Sequence, residues 1–509
     1  MIAKQAKHTQ GGSPMKGKAM KQTKRSAHRP RALSLALKTG VVGLLLPFTV
    51  GLSAQNTFRW DSNRSAGVGQ DAVQADGLMA VYSPRASMRR VYPGSNLKVM
   101  PVAAGFNARE FEALAQGLVD SGKVPGLAMA IVQGGQIVSA RGYGVTDVNN
   151  PEAVDLHTVF RLASLSKAFA STVTAQMVAD GKLRWDSRPL DYIPTLKFAN
   201  PNAAPQLTVA DVLSHRVGIG HNAFDRDLEA NAEYPVLMQK LAYAPMKCAP
   251  SECYAYQNIA YSLIGNVVES VSGTTYEQTV ARRLFRPLGM FDASYGVEGI
   301  AASKRWAKPH IGSGRRWTPV YPKPTYYRVA PAAGVNASIS DMAKWLLAQG
   351  GYRGDVLSGS LLATLHAPLI DTPSEMGGSA WRRQRLNAAG YALGWRVYDY
   401  VGHRLVFHGG AVQGYRGAMA LLPERDIGVV VLWNSTSSAP SGLLPTILDR
   451  AIGVTPQRWL DIEIEPQLGA DNVYAGKPVS PLPLAPIADD DGDRAAGGVE
   501  ASVSNAQPH

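Results

Sequence analysis

Strand-like stretches stand at both ends of the patterned part of this 509-residue chain, with a mainly helical middle from Val159 to Gly289. Near the front, LAMAIVQGGQIVSARGYG carries two apolar runs flanking Gly134-Gly135, the pattern of a β-hairpin. After Gly390, YALGWRVYDY, HRLVFHGG, GYRGAMALLP and IGVVVLWN read as antiparallel strands separated by short Gly or Pro turns. A sheet assembled from both ends, with helices between, predicts an α/β (α+β) fold: an antiparallel sheet flanked by helices with an inserted all-helical region.

The helical segments have their own signals. FNAREFEALAQGLVDSGKV puts Phe106, Phe111, Leu114 and Leu118 on one face and stops at Gly122. The middle holds TVADVLSHRVG, a helix beginning near Ile259 in NIAYSLIGNVVESVSG, and TYEQTVARRLFRPLGM ended by Pro287 and Gly289. Further on, SISDMAKWLLAQGG has Ser338 or Ser340 as cap and Gly350 as stop.

The net charge of +13 suggests a nucleic-acid or membrane partner, but residues 1–54 carry ten Lys/Arg and no Asp/Glu, leaving 13 − 10 = +3 for the rest. Nucleic acid is therefore not expected as a partner. Residues 1–54 read as a secretory signal: a basic segment through Lys38, the apolar run Val41 to Leu52, and a small-residue site near Ala54. A start at Met15 or Met20 gives a more ordinary signal, and an uncleaved N-terminal anchor is the alternative and the one membrane contact foreseen. Export, to the periplasm, is the expectation. Residues 55–104 lack periodicity and read as a linker; 105–455 form the compact domain; 456–509, rich in Pro and Ala with the acidic cluster Asp489 to Asp493, read as a disordered tail.

The chemistry concentrates in FRLASLSKAF. It opens a helical run in which Leu165, Phe169, Val173, Met177 and Val178 recur near the helical period before Gly181. Ser164 stands at the helix start and Lys167 one turn on, its nitrogen within reach of the hydroxyl. A serine hydroxyl is a poor nucleophile without a base, and a lysine whose charge is suppressed supplies one. Free N–H groups at a helix start add a place for an oxyanion. Spacing alone does not decide, since Ser13–Lys16 and Ser95–Lys98 repeat it without helical periodicity.

Two further elements follow in order. Tyr256-Gln257-Asn258 lies at a loop-to-helix junction, where a phenol can enter a cleft and an amide both donates and accepts. Taken alone it reads rather as a tyrosine packed by its ring with an asparagine capping the next helix. His408-Gly409-Gly410 closes a strand candidate; its glycines let a substrate approach the backbone, with the Ala411 N–H available to an oxyanion.

Ser-x-x-Lys, Tyr-x-Asn and a basic residue with Gly on a late strand resemble the penicillin-recognising serine hydrolases: class C β-lactamases, D-alanyl-D-alanine peptidases and related esterases. The likeness spans about Phe106 to Asn434 and includes GYG at Gly142, LSHRVG at Leu213, PLGM at Pro287 and YALGW at Tyr391. It implies that Ser164 attacks a carbonyl and forms an acyl-enzyme, with Lys167 and Tyr256 handling the proton. It also implies that Asn258, with His408, Gly409 and Gly410, binds substrate, and that the N–H groups of Ser164 and Ala411 form the oxyanion hole. Water then releases the acyl group, so no cofactor is implied.

The third motif departs from the usual Lys-Thr-Gly or Lys-Ser-Gly. A histidine is mostly neutral at pH 7 and Gly409 has no hydroxyl, so carboxylate recognition weakens. The expectation is an exported serine hydrolase acting on an ester or a small D-amino-acid peptide, its partner a small-molecule or peptide substrate. The alternatives are a β-lactamase or D-alanyl-D-alanine carboxypeptidase, and a non-catalytic module that binds β-lactams or cell-wall fragments. Cys248 and Cys253, the only cysteines, form a disulfide in an exported protein and otherwise remain free thiols. No metal pattern occurs: the cysteines lack a second pair, there is no His-Glu-x-x-His, and His215 lies in a segment that ends a helix in the family.

Overall fold

In a computed structural model of the protein, residues 99–314 and 316–462 are described. The signal-like segment, the linker up to residue 98 and the tail after residue 462 lie outside the described residues.

The first helix, α1 (Ala108–Asp120), is capped by Asn107, whose side chain accepts from the Arg109 N–H, and it buries Phe111, Ala115 and Leu118. Phe106 lies outside the helix and packs against Phe111, ring centroids 5.3 Å apart, an apolar clasp that sets the entry angle. The hairpin follows as β1 (Gly126–Gln133) and β2 (Gln136–Gly144). Short strands come next: β3 (Val159–Arg161), β4 (Ser294–Tyr295), β5 (His310–Ser313), β6 (Arg316–Pro319), β7 (Val335–Ser338) and β8 (Ile370–Asp371). The late strands are β9 (Leu386–Tyr391), β10 (Arg396–Tyr400), β11 (His403–Val412), β12 (Tyr415–Leu422) and β13 (Ile427–Trp433).

The main sheet is antiparallel, in the order β2-β1-β13-β12-β11-β10-β9-β8. The two ends of the domain meet at its centre, where Leu127 opposes Trp433 and Ile131 opposes Val429. Period-two alternation sends Leu127, Met129, Ile131, Val429 and Val431 to one face, where they form a core with α1 and the last helix. The opposite face of β1 and β13 packs on the helix Ile339–Leu347. Ser338 caps that helix in a reciprocal pair with Asp341, and the break comes at Gly351 rather than Gly350. Trp345 of this helix stacks on Phe169 at 3.9 Å, which draws the helix that follows Ser164 into the centre of the molecule. Each such fully buried large side chain contributes about 1.5–3 kcal/mol.

Several expectations change. YALGWRVYDY is two strands, not one. The chain turns at Gly394, φ +73°, where a Cβ would lie 2.7 Å from the Lys167 carbonyl oxygen, so the strand breaks to let the sheet meet the helix that carries Lys167. The helix expected near Ile259 begins at Leu263, because Asn258 to Ser262 form turns in which Ser262 Oγ donates to the Asn258 carbonyl at 2.9 Å. The domain also reaches beyond 105–455. Before it, the Ala103 N–H donates to the Ala451 carbonyl at 2.9 Å; after it, Leu460 is buried and Trp459 Nε1–H donates to Asp449 at 2.8 Å. The apolar residues Val102, Trp459 and Leu460 outweigh the loose composition around them.

Candidate active site

The nucleophile candidate sits on a tight turn. Ala163–Leu165 is a short 3-10 turn leading into the helix Ser166–Ala179. Ala163 has φ +50°, a left-handed conformation that costs a non-glycine residue about 1–3 kcal/mol. Ser166 Oγ secures the turn from below, donating to the Ala163 carbonyl at 2.6 Å and accepting from the Val335 N–H at 3.0 Å. From Thr158 to Ala175 every residue is buried except Ser164. The first turns of the helix are enclosed on all sides rather than amphipathic, and the one window in this stretch is the serine just before it.

Lys167 has no exposed surface. Its Nζ lies 3.5 Å from Ser164 Oγ and donates to Asn258 Oδ1 at 2.8 Å and to the Ala332 carbonyl at 3.2 Å. Burial drives its pKa well below the usual lysine value; Asp225 opposes this and Arg396 reinforces it. Tyr256 completes the group. Its ring lies 4.6 Å from Lys167 Nζ, and its hydroxyl feels Ser164. Burial pushes the phenol up to about 12, against the pull of Arg396 and the Ser164 hydrogen bond. The arrangement holds a phenol kept neutral by burial beside a lysine whose hold on its proton burial weakens.

Asn258 is committed within the protein. Its Oδ1 faces Lys167 and its Nδ2 donates to Asp225 Oδ2 at 2.7 Å, so only one amide hydrogen remains for a substrate. Gly410 brings β11 against the serine turn. A Cβ there would lie 2.5 Å from the Leu162 carbonyl oxygen and 3.2 Å from the Ser164 nitrogen. β10 covers β11 only as far as Phe407, so His408 to Val412 have no strand on that side. Gly409 and Gly410 are half-buried and Ala411 is exposed.

His408 departs from expectation. Its ring is fully buried, Nδ1 meets the Gly409 carbonyl at 2.8 Å and Nε2 meets the Tyr391 hydroxyl at 3.2 Å, so no part of it is free to touch a substrate. The physical reason is alternation on β11: the residue at 408 points into the body of the molecule, where Tyr391 waits.

The cysteines are joined as Cys248–Cys253. The loop they close, with Lys247 just before it, hangs on the LSHRVG segment through Lys247 N–H to the Gly218 carbonyl (2.7 Å) and Ser251 N–H to the Arg216 carbonyl (2.9 Å), while Ser251 Oγ donates to Asp211 just ahead of that segment (2.7 Å). That segment reaches the Tyr256 loop directly, with Ala255 N–H donating to the His215 carbonyl and Gln257 N–H to His215 Nδ1. Three contributors carried no local signal. Asp225 balances Lys167 through Asn258. Arg396, buried and ion-paired with Glu375, lies 5.3 Å from the Tyr256 ring. Tyr391 links His408 to His215.

The model of the Beta-lactamase family matches residues 111–453. The chain belongs to that family. Among other Beta-lactamase-like proteins, it is 26% identical over 370 residues to an unguisins hydrolase of Aspergillus campestris, covering 69% of this chain and 67% of that protein. In structure it resembles an octameric penicillin-binding protein homologue from Pyrococcus abyssi, with a TM-score of 0.60, 24% identity, and 70% and 79% of the two chains covered. It also resembles EstCE1, a hydrolase with promiscuous acyltransferase activity: TM-score 0.58, 18% identity, 68% and 98% covered. Those two likenesses carry the fold; this Beta-lactamase family member places Ser164, Lys167 and Tyr256 within one cluster.

Proposed function

We propose that the protein is an exported serine hydrolase that works through an acyl-enzyme on an ester or amide. The observation that carries this reading is Ser164, the single window in a buried stretch, 3.5 Å from the Nζ of a charge-suppressed Lys167 over which the Tyr256 ring lies.

In this reading Ser164 Oγ attacks the carbonyl carbon while Lys167 Nζ accepts its proton. The tetrahedral oxyanion is held by the N–H groups of Ser164 and Ala411, the latter two residues from the Gly409 carbonyl and on the uncovered edge of β11. The bond to the leaving group then breaks, and the proton passes from Lys167 to that group by way of the Tyr256 hydroxyl. Water hydrolyses the acyl-serine by the reverse relay. The remaining Asn258 amide hydrogen, Gly409 and Gly410 line the substrate's path.

Esters and small D-amino-acid peptides fit better than β-lactams, because the residue at the third motif is a buried neutral imidazole and its neighbour is glycine. The relatives named as hydrolases support acyl transfer as the reaction class. The disulfide supports an oxidising compartment, in keeping with export to the periplasm. Turnover of a short-chain p-nitrophenyl ester and of a chromogenic cephalosporin, each compared with Ser164→Ala, tests the reading. The expected result is ester hydrolysis reduced more than about a thousandfold by the substitution, with little cephalosporin cleavage. Fast cephalosporin cleavage contradicts the argument from His408. Ser164-dependent acylation without turnover of either substrate points instead to a binding module.

A further inference from the structure

A run of four hydrogen bonds joins the loop of Tyr256 and Asn258 to the Gly409–Ala411 part of β11. The Gln257 N–H meets His215 Nδ1 at 3.1 Å, and His215 Nε2 meets the Tyr391 hydroxyl at 3.1 Å. That hydroxyl meets His408 Nε2 at 3.2 Å, and His408 Nδ1 meets the Gly409 carbonyl at 2.8 Å. The ends fix the polarity of every link. A backbone N–H can only donate, so His215 Nδ1 accepts and carries its proton on Nε2. A backbone carbonyl can only accept, so His408 Nδ1 is the donor, and in the neutral ring that burial enforces Nε2 is the acceptor. Tyr391 therefore receives from His215 and gives to His408, and each imidazole is neutral in one tautomer.

The ends of this run are also the two halves of the site. Gln257 lies between Tyr256 and Asn258, and Gly409 lies next to Gly410, which rests on the Ser164 turn. Both histidines and Tyr391 are fully buried, and the Tyr391 ring stands edge-on to each imidazole, at 66° and 85°. Burial above all keeps both imidazoles from charging, with Lys167 and Arg396 adding to it.

We propose that Tyr391 is a positioning residue whose hydroxyl, through His215 and His408, fixes the separation between the Tyr256–Asn258 loop and the Gly410–Ala411 edge. The role deepens the hydrolase reading above and rests on it. It also accounts for histidine at the third motif: an imidazole has a donor and an acceptor on opposite sides of one ring, which a lysine cannot offer while bridging a hydroxyl to a carbonyl. The substrate feels Tyr391 only through the spacing it sets, so the effect falls on the transition state rather than on binding.

The test uses the full chain and p-nitrophenyl butyrate, with active sites counted by a p-nitrophenyl alkylphosphonate that reacts once with the nucleophile. Tyr391→Phe keeps the ring and removes only the hydroxyl. His408→Asn keeps a donor near the Gly409 carbonyl and removes the acceptor for Tyr391. Each single substitution is expected to lower kcat per titrated site by about tenfold to a hundredfold, with KM within about twofold. The double variant is expected to be no slower than the worse single one, because either change breaks the same run. A merely structural role lowers the number of titratable sites and the unfolding midpoint but leaves kcat per site within about twofold, and that result overturns the proposal, as do losses that multiply in the double variant. Failure of the hydrolase reading shows separately, as ester turnover that survives Ser164→Ala.

Discussion

Replacing Gly410 by alanine tests how closely β11 rests on the nucleophile's turn. The new methyl carbon would lie 2.5 Å from the Leu162 carbonyl oxygen, whereas ordinary contact begins near 3.4 Å, so strand or turn must retreat by about 0.9 Å. Neither side yields easily. β11 is paired with β12 from Val406 to Val412, and the turn is tied by the Leu165 N–H to the Leu162 carbonyl and by Ser166 Oγ to the Ala163 carbonyl. A displacement of about 1 Å between reacting groups costs about a hundredfold in rate, or about 2.7 kcal/mol in the barrier. Gly410→Ala is therefore expected to lower kcat for a p-nitrophenyl ester about a hundredfold while KM moves much less. The overpacking adds about 1–3 kcal/mol of destabilisation, read from urea unfolding. Gly409→Ala, whose nearest contact is 3.4 Å, is expected to shift the unfolding midpoint less. A kcat for Gly410→Ala within about threefold of the parent protein would refute the claim that this strand sets the geometry at Ser164.

Other outcomes follow from the buried lysine and the disulfide. Because the folded-state pKa of Lys167 lies below its unfolded value, the folded protein binds fewer protons between the two. Stability is thus expected to rise with pH across that window and fall as pH drops toward the folded value, a slope that Lys167→Met removes in a series of unfolding curves. The rate moves the same way, kcat/KM rising with pH as Lys167 loses its proton. Asp225→Asn removes a carboxylate that favours the charged lysine, so the acidic limb is expected to move to lower pH; movement to higher pH contradicts the arrangement. Replacing Cys248 and Cys253 by serine frees a loop of five residue steps and is expected to cost about 2 kcal/mol in chemical unfolding.

Much of the site was legible because it is written locally. Ser164 and Lys167 are one helical turn apart, Tyr256 and Asn258 share one turn, and the two-ended pattern of strands dictated the sheet. What was not legible arises between segments distant in sequence. Asp225 meets Asn258 across 33 residues, Lys167 meets Asn258 across 91, and Tyr391 meets His215 across 176, none within any periodic pattern. The role of His408 was misread for a related reason. A motif gives a residue's place along a strand, but which face it presents depends on what the neighbouring strands put beside it. The break in YALGWRVYDY was hidden likewise, since it answers to the helix that Gly394 approaches and not to its own apolar alternation.

The packing at the edges of the domain has a practical side. Residues 102–103 and 459–460 both settle on the layer built by the first helix and by Leu443–Ile452, so the incoming and outgoing chain share one attachment point. The serine window opens elsewhere, between the helical insertion and the free edge of β11. A tether, affinity handle or fluorescent protein grafted at either border would load the same scaffold layer and leave the mouth of the cleft unobstructed. Immobilised formats of the protein can therefore be built from either side without redesigning its interior.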